Sequence, residues 1–537
     1  MVRRFLAYFF LILIILAFLQ CARRGNPSGG PKDITPPQLV RADPENMSLN
    51  FNEKKIRLYF DEYIKLEDVQ NQLVVSPPLK YPPELSPQGL ASKYVEIVLK
   101  DTLRENTTYT LNFGQSIVDN NEGNPNSFLT YVFSTGDYID SLTVSGVVRD
   151  AFNRNADAFI SVMLYELDST YTDSTIYKSP PYYITNTLDS TTIFQLKNLK
   201  AGKYAMVGIK DEGRNNLFDQ NTDKIAFIKD TVSLPTDSIY VLNLFKEVPD
   251  YSASVPNFAA SNKIIFGYQG QGDSIAIRPL TVLPDTIRSL IAKEPEKDTL
   301  NFWFTPFEAD SLVFTVSNTM AKVVDTFTVK TRKLATDSLI LAPSHRGTFP
   351  FGEPFHINAN TPIVTIDTAK ISIMDTDSVP VPFSASLDTL KNRMDFEFDV
   401  APNQRYGLQL LPGAFQDFFE TENDTLSYGL STGSYADFGN LSLNLSGNVS
   451  YPLIVQLTDE QGGVKREIYA ARPTPFEFNN LEPAKYLIRV IHDTNGNGKW
   501  DTGNYLMKLQ PERVSYYPSV LEMRANWEQI ETFIIPE

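Results

Sequence analysis

The sequence predicts an all-β protein, a multi-domain string of antiparallel β-sandwiches. Two observations lead to this fold class. Tyr and Phe together number 61 among 537 residues, with 35 Pro, and apolar residues alternate with polar ones in many short runs, as in residues 55–60. Aromatic and β-branched side chains suit a half-buried pleated surface, and Pro marks the turns between strands. Helical periodicity is scarce, and the stretch at 286–293 is too short to change the class.

The amino terminus has the features of an exported, lipid-anchored protein. Arg3 and Arg4 precede an apolar run from Phe5 to Leu19, which is shorter than the ~20 residues that span a bilayer. The run leads to Cys21, the only cysteine in the chain, and Phe-Leu-Gln-Cys at 18–21 resembles a lipobox, the motif at which a leader is removed and its cysteine acylated. We predict a signal peptide over 1–20 and lipidation of Cys21; an ordinary secretory leader is the alternative.

A lipidated Cys21 places the protein on the outer membrane, which it contacts through the lipid anchor. The periplasmic and the surface face both stay open. Residues 21–35 are rich in Gly, Pro and polar residues, so we expect a flexible tether there. The net charge is −16 and becomes −18 once Arg3 and Arg4 leave with the leader. Because phosphate binding depends on clustered Lys and Arg and no long basic block remains, we expect no nucleic-acid partner.

An ordered internal repeat divides the chain. Residues 194–211 recur at 476–493 with a constant offset of 282. Residues 106–109 and 134–138 recur at 403–406 and 431–435, both with an offset of 297. Chance matches would not share ordered, ungapped offsets, so we predict two kinds of module, each present twice, around a middle segment.

Both kinds of module resemble known families. Residues 29–37, Gly-Gly-Pro-Lys-Asp-Ile-Thr-Pro-Pro, with Phe-Asp-Glu-Tyr at 60–63 and Ser-Pro-Pro at 76–78, resemble bacterial lipoproteins with an amino-terminal Ig-like domain of the S-layer type. The repeated Leu-x-x-(Gly/Ala)-Lys-Tyr at 199–204 and 481–486, followed by an Asp/Asn/Gly loop, is similar to transthyretin-like, carboxypeptidase-regulatory-type sandwiches. Such modules are stabilising or docking domains in many exported proteins, so the resemblance implies folds and no activity.

The repeat and the resemblances together predict five modules after the signal peptide and tether. We number them in chain order: module 1 is an Ig-like domain at 36–138, module 2 a transthyretin-like β-sandwich at 141–246, module 3 a small β domain at 250–335, module 4 a second, divergent Ig-like domain at 338–436, and module 5 a second transthyretin-like β-sandwich at 440–537.

One loop in module 5 has the spacing of a calcium-binding loop. An EF-hand places oxygen ligands at positions 1, 3, 5, 7 and 9 and Gly at 6, and Gly498 stands at that sixth position. Position 12 is Asn504 rather than the usual Glu. The alternative is a hairpin loop between strands 486–491 and 505–509 that needs no metal. The predicted calcium ligands are Asp493, Asn495, Asn497, Lys499 through its carbonyl, and Asp501.

The sequence offers no recognisable catalytic set. The three histidines, at 345, 356 and 492, lack a paired-ligand spacing. No Gly-x-Ser-x-Gly, phosphate loop or dinucleotide fingerprint occurs. A glycosidase with two carboxylates stays open, because sequence spacing does not give spatial separation. His492 beside Asp493 is interpreted as a strand-end residue. We expect no enzyme and no catalytic residue.

These patterns favour a non-enzymatic envelope lipoprotein that is a modular scaffold or docking protein for another envelope protein. The alternative is a surface lipoprotein that binds glycans or mediates adhesion, with a polysaccharide as its partner. For that alternative, the Pro-flanked pairs Tyr182-Tyr183 and Tyr516-Tyr517 are the candidate stacking rings.

Overall fold

The computed structural model describes residues 32–536 apart from 128, 188–191, 296, 308 and 352. The predicted signal peptide, the lipidation site Cys21 and most of the tether therefore lie outside the described residues. Strands dominate, and the all-β prediction is confirmed. The helices of the described part are α1 (Val69–Gln72) and three 3-10 turns at Asp173–Tyr177, Thr368–Lys370 and Tyr435–Asp437. No helix in this part of the chain is both long enough and apolar enough to cross a membrane.

Eight strands build module 1: β1 (Leu39–Asp43), β2 (Lys55–Leu66), β3 (Val74–Ser76), β4 (Glu84–Ser86), β5 (Ser92–Val98), β6 (Thr108–Asn112), β7 (Ile117–Asp119) and β8 (Thr130–Ser134). One sheet has the order β1-β2-β5-β4, with β7 on β2, and the other has β3-β6-β8. The alternation in β2 places Ile56, Leu58 and Phe60 in the core between the sheets.

Modules 2 and 5 share one topology. Module 2 contains β9 (Leu142–Asp150), β10 (Ser161–Glu166), β11 (Tyr183–Asn186), β12 (Ile193–Leu199), β13 (Gly202–Lys210), β14 (Lys224–Phe227), β15 (Val232–Leu234) and β16 (Ile239–Leu244). Its sheets have the orders β11-β10-β13-β14, with β15 on β13, and β12-β9-β16. The last strand runs parallel to the first, which differs from the expected antiparallel pattern.

Module 3 lies between the two repeats. Its strands are β17 (Ser252–Ala253), β18 (Asn257–Ala260), β19 (Lys263–Gln269), β20 (Ile275–Pro279), β21 (Ser289–Lys293), β22 (Thr299–Phe304), β23 (Ser311–Asn318) and β24 (Val323–Lys330). They form the sheets β17-β19-β22-β21, with β18 on β19, and β20-β23-β24. Buried aromatic residues such as Phe302 and Phe314, whose ring centroids lie 5.0 Å apart, fill the space between them.

Module 4 has ten strands: β25 (Leu341–Pro343), β26 (Gly347–Thr348), β27 (Phe355–Ala359), β28 (Ile363–Ile366), β29 (Ile371–Met374), β30 (Phe383–Asp388), β31 (Arg393–Phe398), β32 (Arg405–Leu410), β33 (Phe415–Asp417) and β34 (Leu426–Ser431). The orders are β25-β27-β31-β30, β26-β34-β32-β29 and β28-β33. The pair β26–β34 is parallel.

Module 5 repeats the pattern of module 2 with β35 (Gly439–Gly447), β36 (Leu453–Thr458), β37 (Val464–Ala470), β38 (Phe476–Leu481), β39 (Lys485–Ile491), β40 (Val514–Tyr516), β41 (Leu521–Glu522) and β42 (Glu528–Ile535). The orders are β37-β36-β39-β40, with β41 on β39, and β38-β35-β42. The pair β35–β42 is parallel, as β9–β16 is in module 2.

The offset of 297 between modules 1 and 4 has a structural basis. In module 1 the Tyr109 hydroxyl accepts from the backbone N–H of Arg104, and in module 4 the Tyr406 hydroxyl accepts from that of Ala401. The hydroxyl of Thr135 donates to the carbonyl of Arg104 in module 1. In module 4, the hydroxyl of Thr432 donates in the same way to the carbonyl of Ala401. The repeated residues are therefore those that tie one strand end to the preceding loop.

Contacts between modules close a circuit from module 2 to module 5. Modules 3 and 4 are joined by the ion pair Arg288–Glu420 at 2.9 Å, and modules 4 and 5 by Arg466–Glu353 at 3.0 Å. Module 5 then packs back on module 2, with contacts between residues more than 250 positions apart. The modules are therefore not joined only to their neighbours in the sequence, since module 5 also packs on module 2.

Candidate functional site

The predicted calcium loop follows β39 and is folded around Asp493, which has no exposed surface. Its Oδ1 atom accepts from the backbone N–H of Gly496 at 2.8 Å and of Asn497 at 3.1 Å, and its Oδ2 atom accepts from Gly498 at 2.8 Å. Gly496 and Gly498 have φ of +73° and +76°, a conformation that glycine adopts without steric cost. Asp493 therefore holds the loop through three N–H groups of the chain itself.

The other predicted ligands surround Asp501. The side-chain amide of Asn497 donates to Asp501 Oδ2 at 2.6 Å, and that of Asn495 donates to the same atom. Glu512, which the sequence analysis missed, closes the loop from the far side: it accepts from the N–H of Thr494 at 2.6 Å and of Asp501 at 3.1 Å. Glu512 lies eleven residues after Asp501 in the sequence, so no motif spacing could have indicated it.

The donor set of this loop, carboxylate and amide oxygens with a main-chain carbonyl, is of the kind that calcium prefers. Its oxygens are already engaged, because Asp493 accepts three backbone N–H groups and Asp501 accepts two amides. Within the described residues, no three His, Cys, Asp or Glu side chains lie close enough together to hold a metal. Calcium binding stays a prediction, and hydrogen bonds of the chain account for the loop.

Module 2 has the same loop in shorter form. Asp211 Oδ2 accepts from the N–H of Asn216 at 2.7 Å, and Asp223 accepts from the N–H of Glu212 at 3.1 Å and of Asp219 at 2.8 Å. These are the bonds that Asp493 and Glu512 make in module 5. Asp223 is thus the counterpart of Glu512, and modules 2 and 5 both hold this loop with two carboxylates.

The two loops differ in length after their ninth position. Three residues separate Asp219 from Asp223, whereas ten separate Asp501 from Glu512. The predicted strand at 505–509 is wrong: residues 505–508 form a turn closed by hydrogen bonds between Asn504 and Leu509. The partner of β39 is instead β40. The extra length leaves module 5 and contacts module 2, and we call residues 502–510 the docking loop.

Tyr505 is the centre of the docking loop. It is only 2% exposed, its ring stands edge-on to Phe227 of module 2 at 5.3 Å, and its hydroxyl lies 3.1 Å from that of Tyr171. Its backbone N–H donates to the carboxylate of Glu247, itself 3% exposed. Burial raises the pKa of Tyr505, so the phenol stays neutral. The packing of the Tyr505 ring on Phe227 and the buried hydrogen bond from the Tyr505 N–H to Glu247 thus join the modules.

Polar contacts fix the two ends of the docking loop. The hydroxyl of Thr502 donates to the carbonyl of Lys246 at 2.6 Å, and the side-chain amide of Gln510 donates to that of Phe227 at 2.9 Å. Between them, a Cβ added to Gly503 would lie 2.7 Å from the ring of Phe245. Only glycine lets the docking loop approach Phe245 this closely.

A second contact between modules 2 and 5 is centred on Phe152. Its ring packs against Trp500 at 4.7 Å, and the guanidinium of Arg489 lies 4.2 Å from its centroid. Arg489 is 2% exposed and donates to Gln456 at 2.7 Å. A desolvated cation over an aromatic face is worth about 2 kcal/mol. The backbone carbonyl of Phe152 accepts from the hydroxyl of Tyr516 at 2.8 Å.

The aromatic pairs proposed for sugar stacking are not open platforms. Tyr183 is 2% exposed, and Arg104 lies 5.0 Å from the ring of Tyr182. Tyr516 and Tyr517 are both half-buried, and the hydroxyl of Tyr517 donates to Glu531 at 2.6 Å. Each ring is used within the molecule, so these residues do not support glycan stacking.

His492 lies at the end of β39, as interpreted from the sequence. It is 3% exposed, and its ring nitrogens lie 3.2 Å from the hydroxyls of Ser450 and Ser515. Burial, with a smaller contribution from nearby Arg513, lowers its pKa to about 4. The imidazole is therefore neutral at physiological pH and packs as part of the module.

A cleft of about 640 Å³ separates modules 1 and 2. Its module 1 wall is mainly apolar and includes Val69, Leu79 and Pro82, while its module 2 wall includes Asp211 and Arg214. The Oδ1 atom of Asp211 is buried and has no hydrogen-bond partner among the described atoms. Desolvation raises the pKa of this carboxyl. The cleft therefore has an apolar wall on module 1 opposite a polar and charged wall on module 2.

Comparison with known proteins gives one family match, to the bacterial Ig-like domain over residues 33–135. Module 1 is similar to that family. No curated protein matches the chain. Among solved structures, domains 1–6 of the surface layer protein SbsC are 12% identical with a TM-score of 0.15, covering 87% of this chain and 67% of that one. The BSP domain of a biofilm associated protein is 8% identical with a TM-score of 0.15, covering 89% and 96%. Likenesses this weak carry no argument about function.

Proposed function

We propose that the protein is a non-enzymatic envelope lipoprotein, anchored to the outer membrane through Cys21, that acts as a scaffold to which other envelope proteins dock. The observation that carries this proposal is the packing of module 5 on module 2 through the docking loop. A chain that only spaced two objects apart would need no such return contact. A closed circuit instead presents its modules in fixed relative positions, as a platform for partners requires.

The cleft between modules 1 and 2 is the surface best suited to a partner. Its volume of about 640 Å³ falls within the range of roughly 300–1,000 Å³ that is usual for binding clefts. An extended peptide segment fits its chemistry, because apolar side chains can cover Val69 and Leu79 while an acidic or hydrogen-bonding group meets the exposed Arg214. We therefore propose that an exposed segment of another envelope protein binds there.

Anchoring is tested in cells that express the full chain. Wild type and Cys21→Ser are labelled with a radioactive fatty acid, with and without an inhibitor of the lipoprotein signal peptidase, and the cells are then fractionated. We expect label and outer-membrane location for the wild type only. An unlabelled wild type that stays soluble would overturn the lipoprotein part of the proposal.

Docking is tested by cross-linking and pull-down from detergent-solubilised envelopes. Val69→Arg places a charge in the cleft. Val282→Arg makes the same change in module 3, at a side chain that is 91% exposed. We expect a stoichiometric protein partner for the wild type and for Val282→Arg, and its loss from Val69→Arg. Retention of polysaccharide without any protein partner would favour the alternative, a glycan-binding lipoprotein.

A further inference from the structure

Serine and threonine follow aspartate unusually often in this chain. There are 37 Asp and 37 Asn, and Ser or Thr follows 20 of the Asp but only 6 of the Asn. Both residues cap turns and strand ends through the same side-chain-to-backbone hydrogen bonds, so turn formation alone would treat them alike. Glutamate shows no excess either, since 2 of 27 precede Ser or Thr. The excess is specific to the aspartate carboxylate.

The third position is also restricted. In 16 of the 20 cases the residue after Ser or Thr is Ala, Val, Leu, Ile or Thr. These tripeptides occur in modules 1 to 4 and at their junctions, and module 5 contains none. Their hydroxyl residues are Thr102, Ser141, Ser169, Ser174, Ser190, Thr231, Ser238, Ser274, Thr286, Thr299, Ser311, Ser338, Thr368, Ser378, Thr389 and Thr425.

The fold places these hydroxyl residues at the surface. Ser190 lies outside the described residues, and of the other fifteen, twelve are exposed and the remaining three, Ser174, Thr299 and Ser311, are half-buried. Twelve other Ser and Thr residues of the described chain are buried, and none of those follows an aspartate. The tripeptide is therefore confined to positions that another protein can reach.

The exposed hydroxyls have no role in holding the fold. In the described structure, none of the twelve donates or accepts a side-chain hydrogen bond, whereas the neighbouring aspartates often do. At the tip of the hairpin β30–β31, Asp388 accepts from the N–H of Leu390 and of Lys391, both at 3.0 Å. Thr389 between them is exposed with a free hydroxyl, and Leu390 is 73% exposed. Each of these hydroxyls can therefore react with another molecule without the loss of a contact in the fold.

We infer that the exposed tripeptides, in which Asp, Ser or Thr, and then Ala, Val, Leu, Ile or Thr follow one another, are O-glycosylation sites, an inference that rests on the export part of the proposed function. Outside the cytoplasm there is no pool of nucleoside triphosphates for phosphorylation, whereas sugars linked to polyprenyl phosphates reach the outer side of the membrane. The carboxylate would pair with a cationic group of the transferase, and the methyl groups that all five residue types at the third position carry would enter a hydrophobic pocket. The two neighbours of the hydroxyl thus supply specificity.

The transfer is a substitution at the anomeric carbon of a polyprenyl-phosphate-linked sugar. The hydroxyl oxygen of Ser or Thr forms a bond to that carbon, and the bond from the carbon to the phosphate oxygen breaks. The polyprenyl phosphate leaves with the bonding electrons, and the hydroxyl proton passes to a base of the transferase. Glycans are bulky and hydrophilic, so only exposed tips and strand ends can accept them.

For the test, the full chain is purified from envelopes of its native host and digested. The peptides are analysed by mass spectrometry with a fragmentation method that leaves modifications attached to their residues. We expect carbohydrate adducts at exposed tripeptides such as Thr389 and Thr425. The chain contains a matched control: Ser519 is exposed and is followed by Val520, but is preceded by Pro518 instead of aspartate, and we expect it to be bare. Phosphate or sulfate adducts, or adducts on Ser519 as frequent as on Thr389, would overturn the inference.

A variant pair isolates the role of the carboxylate. Asp388→Asn keeps a side-chain oxygen for the turn and leaves the Thr389 hydroxyl in place, so we expect complete loss of the adduct at Thr389 with no change at Thr425. Thr389→Ala removes the hydroxyl that would carry the sugar, so it shows the complete loss of the adduct with which Asp388→Asn is compared. An adduct that persists in Asp388→Asn would contradict carboxylate recognition. Bare protein in the envelope would refute glycosylation alone, whereas bare protein in the cytoplasm would refute export as well.

Discussion

At the scale of single residues, the loops of this protein depend on buried carboxylates that accept backbone N–H groups. Asp493 accepts three such bonds and has no exposed surface. We predict that Asp493→Ala lowers the free energy of unfolding by about 2–4 kcal/mol, since it leaves three donors without their acceptor, and that Asp493→Asn costs less. Chemical denaturation measures both.

The control for Asp493 is Asp459, which accepts from Gln461 and Gly463 in a hairpin where its side chain is 30% exposed. Water can replace an acceptor at such a site, so Asp459→Ala should cost less than half as much. Equal losses at the two positions would show that burial is not what makes Asp493 important.

Asp119 in module 1 is a buried carboxylate of the same kind, and it makes the stability of the folded state depend on pH. It is 1% exposed and accepts from the N–H groups of four successive residues, 121–124. Burial raises its pKa, but the four donors outweigh burial and lower the pKa to about 2 from an ordinary value of 3.8. Folding therefore favours the ionised form, and this stabilisation is complete above about pH 4 and is lost as the pH falls towards 2.

The expected contribution of Asp119 is at most about 2 kcal/mol, because residues that donate to it, such as Asn121 and Gly123, are exposed and water screens part of the interaction. Denaturation of wild type and Asp119→Asn between pH 5 and pH 2, a range of roughly three units around the carboxylate values, measures it. The two curves should converge as the pH approaches 2. Parallel curves over the whole range would contradict the lowered pKa.

At the scale of elements, the calcium prediction concerns a loop that hydrogen bonds already hold. We therefore expect the mature chain to stay folded in chelator. Because a ligand that binds only the folded state stabilises it, we expect the melting temperature to rise when the calcium concentration exceeds the dissociation constant. Asp501→Ala, which removes a predicted ligand, should abolish the rise. Calorimetry with and without calcium decides, and an unchanged melting temperature for the wild type would refute the calcium site.

The same loop shows what sequence could and could not provide. The alternating apolar residues at 55–60 predicted β2, because burial of every second residue follows directly from that alternation. The strand predicted at 505–509 also has suitable residues, yet it forms a turn because Tyr505 is buried by module 2. The pattern of neighbouring residues cannot reveal a contact with a surface more than 250 residues away. Glu512 was missed for a different reason, because it lies eleven residues after Asp501, beyond the spacing of the loop motif.

At the scale of the whole molecule, the repeat offsets predicted that two modules recur, and the folded chain adds how the copies meet. The extra residues of module 5 form the docking loop, whose Tyr505 and Gly503 lie against Phe227 and Phe245 of module 2. The two copies therefore differ where they meet. Module 5 has the longer loop, and the circuit of modules 2 to 5 closes at that loop.

Closure predicts that modules 2 and 5 unfold together. In the wild type, calorimetry should show one transition for this pair, because loss of either module exposes the ring of Tyr505 or the surface that covers it. Tyr505→Ala removes an aromatic side chain that is 2% exposed, a change that costs about 3–5 kcal/mol in a core. It should separate the transition into two and increase hydrogen exchange at β14 and the docking loop.

Gly503→Ala tests the same contact from the backbone side, since its methyl group would meet the Phe245 ring, and it should have the same effect as Tyr505→Ala. Tyr505→Phe keeps the packing and removes only the hydroxyl near Tyr171, so it should keep a single transition with a loss of about 1 kcal/mol. If Tyr505→Ala and Gly503→Ala both melt as one cooperative unit like the wild type, the docking loop is not what couples the modules, and the contact at Phe152 would have to hold module 5 on module 2 instead.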